Sequence, residues 1–111
     1  MSKREPYILV EDILTAINKI DRYTTAMGRK TFLADDKTID AVVRNLEIIG
    51  EAVRQLPEDF KGSHAGLPWS QMSGLRNRII HDYFGLDLEI IWQVITVHLP
   101  HLKTQILAIN R

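Results

Sequence analysis

"DDKTIDAVVRNLEIIGEAVRQLP", residues 35–57, decides the fold. Its apolar residues Ile39, Val42, Val43, Leu46, Ile49 and Val53 are spaced for a helix, which at about 100° per residue gathers them on one face. Asp36 is the expected N-cap, offering a carboxylate to the free N–H groups of the first turn, and Pro57 is the expected stop. Gly50 costs about 1 kcal/mol inside a helix relative to alanine. Either another helix packs closely there, or the backbone and Glu51 face a ligand. A long amphipathic helix needs other elements to cover its apolar face, so the rest of the chain is read for partners.

Upstream, "YILVEDILTAINKIDRYT" repeats the pattern through Leu9, Ile13, Ile17 and Ile20, with Pro6 in its first turn. A turn is expected around Gly28. Downstream, "EDFKGSHAGLP" holds two glycines and a proline without any period and reads as an exposed loop. A shorter helix begins near Trp69 or Ser70 and ends at Gly85, with the glycine left-handed and Leu86 folding back on Ile80. Asp87 then caps "LEIIWQVITVHLPHLKTQIL", which Pro100 kinks or splits. No stretch alternates as a strand does, and there is no internal repeat. These elements predict an all-α fold, an antiparallel bundle of four to five helices forming one domain over residues 1–111.

Composition limits what such a bundle can do. Fourteen basic residues balance fourteen acidic ones, so any contact with a polyanion must be local. Without cysteine there are no disulfides, thiolate nucleophiles or cysteine-bound zinc sites. Glu11 and Asp12 break the early apolar run, which excludes a signal peptide, and no run is long enough to span a membrane. The expected location is the cytoplasm. Trp69 and Trp92 read as core or interface aromatics. His98 and His101 flank Pro100 without the spacing or acidic company of helical metal ligands.

The chemistry concentrates in "GLRNRIIHDYFGLD", residues 74–87. On a helix Asn77 and His81 share a face, while Arg76 lies well round from His81. Arg76 either reaches round, or a second copy of the helix brings both groups to one cleft, which points to a dimer. A guanidinium matches phosphate oxygens and stabilises the added charge of a pentacoordinate transition state. An imidazole exchanges protons near neutrality, and a helix C-terminus favours its charged form. Asn77 would orient the imidazole or the substrate. Arg76 and His81 are both expected at a polar helix end, off the core stripe. The same residues also describe an ordinary solvated helix face, and spacing alone does not choose between the two.

The string "RNRIIHDY", with Arg76, four residues, His81, one residue and Tyr83, resembles the signature of HepT-like toxins in the HEPN superfamily. Asn77 occupies the place of the polar residue that commonly follows their arginine. The likeness extends through "FLADDKTIDAVVRNLEIIGEAV", "LPWSQMSGLRNRIIHDYFGLDLEIIWQVI" and "HLPHL", nearly the whole chain. The resemblance implies a homodimeric or larger helical endoribonuclease that needs no metal or other cofactor and cleaves RNA, either mRNA or tRNA. Arg76 and His81 would be catalytic. It also implies a partner, a nucleotidyltransferase antitoxin of the MntA type, which uses ATP and magnesium to place AMP on Tyr83 and silence the toxin. The rival expectation is a non-catalytic HEPN bundle that docks a nucleotidyltransferase or holds a nucleotide.

Overall fold

A computed structural model describes residues 4–81 and 88–109, and over 76–81 it gives the backbone of a helix. Helix α1 spans Pro6–Thr24, α2 Arg29–Leu33, α3 Asp36–Gln55, α4 Glu58–Ser63 and α5 Trp69–His81. Helix α6, Leu88–Gln93, runs through a π-helical turn, Val94–His98, into α7, Leu99–Leu107. No strand occurs among the described residues.

The helix over 36–55 forms as its period demands. Ile39, Val42, Val43, Leu46, Ile49 and Val53 are all buried. Helix α3 packs on both α1 and α5, and Gly50 is buried, as the close-packing account requires. The apolar face of α1 supplies Leu9, Ile13, Ile17 and Ile20, each 1% exposed or less, and Leu99, Leu102 and Ile106 of α7 complete the same core. Each such side chain contributes about 1.5–3 kcal/mol when fully buried.

Two expectations are corrected and two are made more specific. The N-cap of α3 is Asp35, whose carboxylate accepts from the Thr38 backbone N–H at 3.1 Å; Asp36 is already inside the first turn. Residues 58–68 are not wholly a loop, because α4 occupies Glu58–Ser63. The turn at Gly28 leads directly into the short α2, whose Phe32 is fully buried. Pro100 stands two residues past a π-helical turn, Val94–His98, that separates α6 from α7. Lacking an N–H, it cannot donate to the carbonyl four residues back, and the ladder just before it widens so that Leu99 donates to Val94, five residues back. The helix end expected at Gly85 and Leu86, and the Asp87 cap, lie outside the described residues.

Candidate functional site

Helix α5 is fixed from its first residue. The Pro68 carbonyl accepts from the Met72 N–H at 3.0 Å, so the helical ladder opens there. The Trp69 indole N–H donates to the carbonyls of Lys61 at 3.1 Å and His64 at 3.0 Å. One indole N–H is thereby shared between two carbonyls at the C-terminal end of α4, which also accept the His64 and Leu67 backbone N–H groups, and it ties the start of α5 to α4. Trp69 and Met72 are buried, so the N-terminal half of α5 is a rigid support for its C-terminal turns.

Arg76, Asn77 and His81 occupy the last two turns of this helix. Positions 77 and 81, four apart, share a face, which starts upstream with Ser70, Ser73 and Gly74. An added Cβ at Gly74 would meet nothing within 4 Å, so this face is open there. Position 76 is different. It follows Met72 by four residues and is therefore on the register of the buried Trp69 and Met72 stripe, about 140° around the helix from His81. The expectation that both residues stand off the core stripe concerns side chains that lie outside the described residues. Their separation around one helix is as expected. Tyr83 lies outside the described residues.

The segment that carries Tyr83 is bracketed by two well-anchored helices. On one side α5 packs on α3. On the other, α6 is held to α2 by Arg29, whose Nε donates to Glu89 Oε2 at 2.7 Å and Oε1 at 3.0 Å, and by the Phe32 and Trp92 rings, 5.3 Å apart. This hydrogen bond raises the pKa of Arg29 and lowers that of Glu89. The pair is exposed, so its contribution is alignment more than stability.

Two of the grooves formed by the described residues border these helices. One, of about 560 Å³, lies between α1 and α3 and is lined by charges of both signs, with Asp12, Glu47 and Glu51 beside Lys19 and Arg44. Asn45 borders it; its amide donates to the Ala41 carbonyl at 2.9 Å, and its buried Oδ1 has no partner. The second groove, of about 770 Å³, lies between α5 and the helix running from α6 to α7. Its rim carries Gln71, Gln93, His98, His101 and Gln105, and its floor Met72, Leu75 and Leu99. The sequence singled out the two histidines only to set metal binding aside, and the glutamines gave no signal because their convergence depends on helix packing. Among the described residues no group of three histidine, aspartate or glutamate side chains could hold a metal, and no helix is long and apolar enough to cross a membrane.

The described residues form an all-helical bundle consistent with a HEPN-like fold. The model of one family, described as ribonuclease HepT-like, matches residues 13–109, and the chain belongs to that family. It is 43% identical over 91% of its length to "Probable ribonuclease HepT" of Thermococcus cleftensis, covering 92% of that protein. A relative from Methanocaldococcus jannaschii named "Putative RNase MJ0127" is also 43% identical, over 91% of this chain and 84% of its own length. A "Putative RNase" of Caldanaerobacter subterraneus is 37% identical over 96% of this chain and 93% of its own. No solved structure matches.

Proposed function

We propose that the protein is a metal-independent endoribonuclease, the toxin of a toxin–antitoxin pair acting in the cytoplasm. The observation that carries this is the family match across residues 13–109, together with an arginine and a histidine at the signature spacing on the last turns of α5. The ribose 2′-oxygen attacks the adjacent phosphorus as its proton passes to a base, and the bond from phosphorus to the 5′-oxygen breaks as that oxygen takes a proton. The products are a 2′,3′-cyclic phosphate and a 5′-hydroxyl. His81 serves one of the two proton transfers, Arg76 stabilises the charge on the pentacoordinate phosphorus, and Asn77 orients the imidazole or the substrate. Because the substrate brings its own nucleophile, no metal is needed to generate one, and DNA is inert.

The angular separation of positions 76 and 81 supports a cleft shared by two protomers, whose mass light scattering would read directly. Arg76→Ala and His81→Ala are each expected to reduce RNA cleavage at least a hundredfold. Circular dichroism must accompany the Arg76 variant because position 76 follows the buried stripe. Wild-type cleavage by His81→Ala would remove the proton-transfer role. RNA binding without any cleavage by the native chain would favour the non-catalytic module instead.

The regulatory half of the proposal concerns Tyr83. A nucleotidyltransferase partner of the MntA type, with ATP and magnesium, is expected to join its phenol oxygen to the α-phosphorus of ATP, releasing pyrophosphate and the phenol proton and placing a phosphate beside Arg76 and His81 where it competes with RNA. Peptide mapping should find the added mass on Tyr83, with cleavage falling in proportion. Modification at another residue, or full modification with undiminished cleavage, would refute the switch while leaving the ribonuclease standing.

A further inference from the structure

The 770 Å³ groove beside α5 belongs to no part of the chemistry above. Its volume is in the range of small-ligand pockets, and its composition is selective. The rim is built from three amides and two imidazoles, groups that both donate and accept hydrogen bonds. The floor is apolar, with Met72 and Leu99 buried beneath the half-buried Leu75. Among the described residues that line it there is no carboxylate, whereas the groove between α1 and α3 carries three beside Arg4, Lys19 and Arg44. A polyanion beside α5 therefore meets no negative charge from these lining residues.

Two further observations point the same way. One wall of this groove is the π-helical turn that brings in Val94 and His98, and such turns concentrate at functional sites. On the opposite wall, Gln71 and Leu75 are followed by Arg78 at the i, i+4, i+7 register, so the stripe that lines the groove leads to a cation near the end of α5. His81 follows Arg78 by three residues. From position 75 to position 81 the helix rises about 9 Å and turns about 120°, a path that an RNA strand would follow around the helix to reach both.

We propose that this groove receives the base of an unpaired RNA nucleotide flanking the scissile phosphate, with Arg78 contacting the backbone between that base and His81. This rests on the ribonuclease reading and deepens it. The apolar floor accepts the flat face of the base, and the amides and imidazoles read its edge. The groove thus sets which base stands beside the cut, while Arg76 and His81 perform it.

The test maps cleavage positions in a randomised single-stranded RNA for the native chain and for Gln71→Ala and His98→Ala. The native enzyme should prefer one base at a fixed position beside the cut. The variants should lose that preference, with kcat/KM on the favoured RNA falling about tenfold and circular dichroism unchanged. A second arm uses cleavage-silent His81→Ala protein and a fluorescent RNA of the favoured sequence, or a mixed-sequence RNA if there is none. Adding Gln71→Ala or His98→Ala should weaken binding about tenfold by anisotropy. Unchanged preference together with unchanged binding would overturn the proposal, as would intact RNA binding accompanied by loss of self-association, which would assign the groove to a protein surface. If the native chain cuts no RNA, the ribonuclease reading fails and the binding arm still decides the groove.

Discussion

Asp35 shows how much one carboxylate decides at the residue scale. It accepts the Thr38 backbone N–H at the start of α3, and that bond, followed by the one to the Thr38 side chain, holds its pKa below the ordinary aspartate value. A carboxylate whose pKa is lowered by folding stabilises the fold above its unfolded pKa, about 3.9, and loses that stabilisation as the pH falls through the lower folded value. Asp35→Ala is expected to lower the melting temperature at neutral pH, and the gap between variant and native should close in acid below that range. A gap that stays constant from neutral pH into strong acid would mean the cap does not titrate as described. The sequence pointed to a cap at this junction but chose Asp36, because two adjacent aspartates present the same signal and only the backbone turn distinguishes them.

Among the elements, those with a long apolar period were legible and those held by tertiary contacts were not. Helices α1 and α3 follow from spacing alone, since Ile13, Ile17, Val42 and Ile49 must share a face to be buried together. The π turn was half legible: Pro100 announces a missing N–H, but whether the ladder kinks, splits or widens depends on how α7 packs back onto α1. Helix α4 was illegible for a sharper reason. Its residues have no period, none of them is buried, and carbonyls at its end take an added hydrogen bond from the Trp69 indole outside the helix. Replacing Trp69 by phenylalanine keeps an aromatic body but removes the donor, and should cost about 1–3 kcal/mol in urea unfolding. An unchanged midpoint would show that the indole bonds do not tie α4 to α5. The candidate site divides in the same way. Arg76, Asn77 and His81 were legible as a motif on one helix, whereas the glutamine and histidine rim of the neighbouring groove exists only once α5 and the helix from α6 to α7 are packed together.

For the whole molecule, the balance of fourteen basic and fourteen acidic residues leaves no general attraction for RNA, so function has to come from placement. The bundle provides it. Its core fixes α3, α3 supports α5, and α5 carries the signature into the segment before α6, which α2 clasps through Arg29 and Phe32. On this account the fold is a scaffold whose task is to hold an arginine and a histidine against a phosphodiester that supplies its own nucleophile. The product ends test this most directly. RNA cut by the native chain in excess chelator should carry, by mass spectrometry, a 2′,3′-cyclic phosphate or its 3′-phosphate hydrolysis product opposite a 5′-hydroxyl, and an RNA with a single 2′-deoxy residue at the cut should resist. Ends bearing a 3′-hydroxyl and a 5′-phosphate, or cleavage abolished by the chelator, would contradict the account.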